Sequence, residues 1–138
     1  MMYAKAPQDK NESQPADDKG AKAMVFAACG RHLLLTLRDC SAELLNDENK
    51  LGELTRLAAE ATGATVLEIR THKFSPQGVT ALAVLAESHA SLHTYPEANV
   101  VFWDCFTCGT VCDPQLSVSI LVEALEAGSI SSEIVTRS

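Results

Sequence analysis

The sequence predicts an α+β fold: a two-layer α/β sandwich whose mainly antiparallel sheet carries two helices on one face. Three observations predict it. Apolar residues recur at helical spacing in two separate stretches, near positions 47–62 and 113–128. Short extended segments rich in Val, Leu, Thr and aromatic residues lie before, between and after these stretches. Turns bearing Pro and Gly join neighbouring extended segments as hairpins. With 138 residues the chain has length for one domain and one sizeable core.

Taken in order, residues 1–22 are polar and nearly free of aromatics, a composition that cannot bury enough surface to order itself. A disordered tail over 1–22 and a single domain over 23–138 are therefore expected. Arg31 to Leu37 reads as a strand, although its apolar residues do not alternate cleanly. Over 47–62, Leu51, Leu54, Leu57, Ala58 and Ala61 mark one face of a helix that Gly63 would stop. Thr65 to Lys73 and Val79 to Ala86 form a hairpin across the Pro76 and Gly78 turn. Val79 to Ala86 is almost wholly apolar, as expected of a strand covered on both faces or lying at an interface. His89 to Tyr95 and Val100 to Thr107 follow as strands joined across 96–99, making at least five. Asp113 and Pro114 suit a helix start, and Leu116, Ile120, Leu121, Ala124 and Leu125 continue it to Gly128. A last strand spans Ile130 to Val135.

Charge and composition exclude several functions. Met1 to Lys22 holds four lysines and four acidic residues, so the net charge of −7 falls entirely on the remainder. An acidic domain without a basic stripe repels phosphate backbones, which argues against nucleic acid and allows a cationic small-molecule substrate. No apolar run approaches the roughly 20 residues of a membrane span, and the N-terminus lacks the apolar core of a secretory signal. A cytoplasmic protein is expected. Five cysteines form an odd set that suits no disulfide framework, and Cys105, Cys108 and Cys112 lack the matched fourth ligand that structural zinc requires. No metal is expected, and Cys29, Cys40, Cys105 and Cys112 are read as buried, inert thiols.

Residues able to do chemistry concentrate between positions 74 and 108. Glu87, Ser88 and His89 interrupt an apolar run, and the period of two puts His89, Ser91, His93 and Tyr95 on one face of a strand. Ser88 lacks the flanking glycines of a hydrolase nucleophile elbow.

Phe74-Ser75-Pro76-Gln77-Gly78-Val79, the block from Ala86-Glu87-Ser88-His89 through His93-Thr94-Tyr95-Pro96-Glu97, and Phe106-Thr107-Cys108-Gly109 resemble the signature segments of the short prokaryotic S-adenosylmethionine decarboxylases. The similarity runs from about Gly30 to the C-terminus. The resemblance implies a proenzyme that cuts itself between Glu87 and Ser88, leaving a β chain of 1–87 and an α chain of 88–138. Ser88 would attack the Glu87 carbonyl to form an ester, and elimination followed by hydrolysis would leave a covalent pyruvoyl group as cofactor. Its ketone would form a Schiff base with the substrate and accept the electrons released on decarboxylation. By the same resemblance, His93 removes the Cα proton of the ester and Thr80, where the family usually has serine, hydrogen-bonds the oxyanion. Cys108 returns a proton to the decarboxylated carbon, Glu97 accepts from the ribose hydroxyls, and Phe74 stacks on the adenine or faces the sulfonium. A homodimer of αβ units is implied, with the product serving as aminopropyl donor for spermidine.

The chain departs from the family pattern around the expected pocket. Gln77 stands for the usual histidine, Thr80-Ala81 for Ser-Gly, and Ala98 to Cys105 is bulkier and lacks a characteristic tyrosine. A pocket filled by Phe102 or Trp103 would suit a smaller substrate, so a pyruvoyl-dependent ornithine or arginine decarboxylase is the alternative. A catalytically silent homologue that regulates a true decarboxylase is the second.

Overall fold

In a computed structural model the described residues are 28–108 and 110–138. The expected tail over 1–22, and Gly109 of the third signature segment, lie outside them. Eight elements follow in order: β1 (Gly30–Arg38), α1 (Glu48–Ala61), β2 (Val66–Lys73), β3 (Val79–Leu85), β4 (Ser88–Tyr95), β5 (Val100–Cys108), α2 (Ser117–Leu125) and β6 (Ser129–Arg137). The strands make one six-stranded sheet in the order β2-β3-β4-β5-β1-β6, antiparallel at every pairing. The α+β sandwich expected from the sequence is the fold observed.

The sheet's two faces differ, and the difference organises the site. On one face Leu33, Leu35 and Leu37 of β1, Ala81 and Ala83 of β3, Ala90 and Leu92 of β4, and Val101 and Trp103 of β5 are buried. They pack beneath Leu51, Leu54 and Ala58 of α1 and Val118, Leu121 and Leu125 of α2. Each such leucine withdrawn from water contributes about 1.5–3 kcal/mol. Asp47 caps α1 by accepting the Lys50 amide at 3.1 Å, and Gly63, at φ +91°, lets the chain turn out of it. Trp103 belongs wholly to this layer, with its indole N–H donating to Ser117 Oγ at 3.0 Å.

Three details differ from the sequence expectation. Leu57 and Ile120 are exposed because the helices dip only a narrow stripe into the core. Leu116 is also exposed, because Pro114–Leu116 forms a separate 3-10 turn, held by Asp113 accepting from the Gln115 amide, before α2 begins. Cys29 is exposed too, since it precedes β1 where no helix covers the sheet, whereas Cys40, Cys105 and Cys112 are buried as expected.

Among the described residues no helix crosses the opposite face. There Leu34, Leu82, Val84, Tyr95, Phe102 and Val135 stand in the open, with Leu82 and Phe102 47% and 48% exposed. Side chains directly opposite one another on paired strands share a face, so His32, Thr80, His89, Ser91, His93, Asp104 and Phe106 lie among them. Nothing among the described residues is long and apolar enough as a helix to cross a membrane.

Candidate active site

Two groups of polar residues stand on or beside the open face, one at each end of β4. The first gathers at the β3–β4 turn. Glu87 ends that turn and Ser88 opens β4. Glu87 is tied down twice: its carboxylate accepts the Thr65 amide at 3.0 Å, and its backbone carbonyl accepts a hydrogen bond from Cys108 Sγ. Cys108 reaches it because β5 pairs with β4 in a register that sets Ser88 opposite Thr107. Gly30 makes the corner possible, since a Cβ there would lie 2.4 Å from the Thr107 carbonyl oxygen and 2.7 Å from the Phe106 ring.

Ser88 Oγ lies 3.3 Å from His89 Nδ1. Beyond His89, Asp104 accepts from His32 Nε2 at 2.7 Å and, on its other oxygen, from Ser91 Oγ, while His89 Nε2 stands 4.0 Å from the same carboxylate. His32, His89 and Asp104 were not singled out as site residues from the sequence. They come from three strands, and only the register brings them together; the clue available was the shared parity of His89, Ser91 and His93.

The second group sits at the far end of the same face. Thr80 Oγ1 and His93 Nδ1, directly opposed on β3 and β4, are hydrogen-bonded. The Phe74 ring lies 5.8 Å from that of His93, the Tyr95 ring lies 4.8 Å from it, and Phe102 adjoins Tyr95 at 5.7 Å. Glu97, in the 3-10 turn Pro96–Ala98, is exposed and accepts from the Gln77 amide at 3.3 Å. Between the two groups lies a shallow depression of about 480 Å³, lined by Leu34, Ser91, His93, Phe102 and Asp104 among others.

Thus the structure unites Glu87, Ser88 and Cys108, and separately Phe74, Thr80, His93 and Glu97. It does not unite the two sets within one chain. His93 lies five steps along the strand from Ser88, about 16 Å at 3.3 Å per residue, and an odd separation points them to opposite faces. Phe102 and Trp103 both border the depression, but the Trp103 indole is buried and bonded to Ser117, whereas Phe102 is exposed there.

The cysteines divide as their surroundings dictate. Burial, reinforced by the neighbouring Asp104 charge, pushes the Cys105 thiol up to about 12, and burial raises Cys40 and Cys112 as well. Thiols held protonated are poor nucleophiles. In the native protein a disulfide reagent such as dithionitrobenzoate should therefore modify Cys29 quickly and the partly exposed Cys108 more slowly. The other three of the five cysteines should react only after denaturation; all five reacting at one rate would contradict the burial.

The S-adenosylmethionine decarboxylase family matches over residues 31–138. An S-adenosylmethionine decarboxylase proenzyme of Brevibacillus brevis is 45% identical over 103 residues, 75% of this chain and 77% of that protein. One of Methanococcus aeolicus is 43% identical over 97 residues, 70% and 83% of the respective chains. The crystal structure of the adenosylmethionine decarboxylase of Aquifex aeolicus superposes with a TM-score of 0.73 at 26% identity, covering 80% of this chain and 92% of that one. The sheet with two helices on one face, the signature segments and these relatives agree, and the chain belongs to the S-adenosylmethionine decarboxylase family.

Proposed function

We propose that this protein decarboxylates S-adenosylmethionine as a homodimer, after cutting itself between Glu87 and Ser88 to generate a pyruvoyl group from Ser88. The observation that carries the reading is the Cys108 hydrogen bond to the Glu87 carbonyl, the bond that must become electrophilic for Ser88 to attack it. A donor on a carbonyl oxygen stabilises the charge that gathers there as the carbon becomes tetrahedral. A ketone at residue 88 supplies the electron sink that decarboxylation of an α-amino acid requires. The surroundings suit such a carbonyl: Thr107 Oγ1, on the residue paired with Ser88, is buried and has no hydrogen-bond partner among the described residues. It is a donor in place for an acceptor at position 88.

Pairing of two chains through the open face explains the division of the site. A two-fold axis through the middle of that face lays the Ser88 end of one chain over the His93 end of the other. His93, oriented by Thr80, then reaches the Cα of the partner's Ser88, which it cannot do within its own chain. The apolar residues on this face give the pairing its driving force. Phe74, 41% exposed beside His93, offers an aromatic surface for adenine or for the positive sulfonium. Glu97, bonded through one oxygen to Gln77, keeps acceptor capacity for the ribose hydroxyls. Among the described residues no basic cluster stands on this face to repel a cationic substrate, and the domain's excess of acid attracts one.

Carboxyl-labelled S-adenosylmethionine is expected to release labelled carbon dioxide with the processed protein, and carboxyl-labelled ornithine and arginine are not. Release from ornithine or arginine alone would transfer the assignment to those substrates.

A further inference from the structure

We infer that His89 is the base that activates Ser88 for self-cleavage, with Asp104 and His32 as its positioning residues; this rests on the proposed processing of Ser88 and names the step that begins it. An unassisted serine hydroxyl is a weak nucleophile and needs a group nearby to take its proton. His93 cannot serve this hydroxyl from its own chain, and its expected task, removal of the Cα proton, comes only after the ester has formed. His89 Nδ1 is 3.3 Å from Ser88 Oγ, within the reach of a general base in an unreacted site.

The rest of the ring is held as such a base requires. For Nδ1 to accept, the proton must sit on Nε2, and Nε2 faces Asp104 at 4.0 Å. Asp104 is fixed from both sides, by His32 Nε2 at 2.7 Å and by Ser91. Its carboxylate favours the Nε2–H tautomer and stabilises the imidazolium that forms, the logic of an orienting acid behind a histidine base. Phe106 packs against both imidazoles, at 5.5 Å from His32 and 6.0 Å from His89, which limits their movement. The three side chains place ligand-type atoms within 4.8 Å of one another, but the 2.7 Å His32–Asp104 contact is a hydrogen bond. Metal bonds of about 2 Å would hold those atoms farther apart.

The step balances without any added reagent. The Ser88 hydroxyl proton passes to His89 Nδ1 as Oγ bonds to the Glu87 carbonyl carbon, and the C=O electron pair moves onto an oxygen held by Cys108. When that pair returns, the C–N bond breaks, and the imidazolium gives the same proton to the Ser88 nitrogen. The product is an ester between Glu87 and Ser88 with a free amine, an isomer of the starting chain.

Hydroxylamine, which cleaves esters and leaves amides intact, separates this step from the next. In His93→Ala the ester should persist, and hydroxylamine should split the denatured chain between residues 87 and 88, as read by intact mass. Adding His89→Gln should slow formation of the hydroxylamine-sensitive bond by about 10²-fold or more, the usual contribution of a general base. Asp104→Asn in the His93→Ala background should slow it less, and added imidazole should partly rescue His89→Gln. Thermal unfolding verifies that each variant is folded, with His89→Asn as the replacement if His89→Gln is not. Ester forming equally fast with and without His89 would overturn the assignment while leaving self-cleavage intact. A wild-type chain that stays whole, with no sensitive bond in His93→Ala, would remove the processing itself and the proposal with it.

Discussion

Replacing Ser88 by alanine is expected to abolish both self-cleavage and decarboxylation. Freshly purified wild-type protein should give two masses on denaturation, residues 1–87 and a pyruvoyl-blocked piece ending at 138, whereas Ser88→Ala should give one uncut chain. The loss is total because the hydroxyl is both the attacking group and, once esterified, the oxygen that departs with the Glu87 carboxylate in the elimination from which the ketone forms, and alanine offers neither. The variant should nevertheless fold. Among the described residues Ser88 Oγ hydrogen-bonds only the neighbouring His89, so unfolding by urea should shift by no more than about 0.5 kcal/mol, as for ordinary partly exposed positions. A wild-type chain that remains whole would instead favour the silent, partner-binding homologue.

Much of the fold was legible because burial imposes a period. The apolar residues of α1 and α2 and the hairpin turns fixed the layers, and every expected strand is present within a residue or two of its expected ends. The irregular pattern at Arg31 to Leu37 and the almost wholly apolar run from Val79 have one cause. Leu34, Leu82 and Val84 are apolar on the face opposite the helices, so strands that are half-exposed in a single chain do not alternate. Such residues would be covered in the dimer proposed above. The site was legible only through a long, unusual motif block, and the motif says nothing of distance. Placing Ser88 and His93 five residues apart conceals that they lie at opposite ends of a strand. Likewise Asp104 is fifteen residues from His89 in sequence, and only the β4–β5 pairing, which sets Ser91 opposite Asp104, turns it into a neighbour.

Retained chemistry argues for an enzyme beyond the family match. A silent homologue would have no physical need for a thiol aimed at the Glu87 carbonyl or for a hydroxyl held on His93, because neither contact stabilises the core; both lie on the open face. The departures from the family pattern also prove less disruptive than their bulk suggests. Trp103 is turned into the helix layer, and Gln77 still anchors Glu97. Phe102 alone brings added volume to the depression, beside aromatic rings that an adenine would stack among.

Co-expression of Ser88→Ala with His93→Ala should restore a cleavage that neither variant performs alone. Each Ser88→Ala chain lacks the nucleophile but keeps His93 and Thr80; each His93→Ala chain keeps Ser88, His89 and Cys108. If sites form across a two-fold axis, a mixed dimer holds one site with both defects and one with none. Random pairing makes about half of all dimers mixed, each with one intact site of two, so about a quarter of the sites should mature. The cut chains should all be of the His93→Ala type, which intact mass distinguishes from the Ser88→Ala chains. Activity should follow the same fraction. If His93 acted on its own chain, every site would carry one defect and no cleavage would appear at any ratio of the two. The experiment therefore measures directly whether the roughly 16 Å between Ser88 and His93 along β4 is bridged by a second copy of the chain.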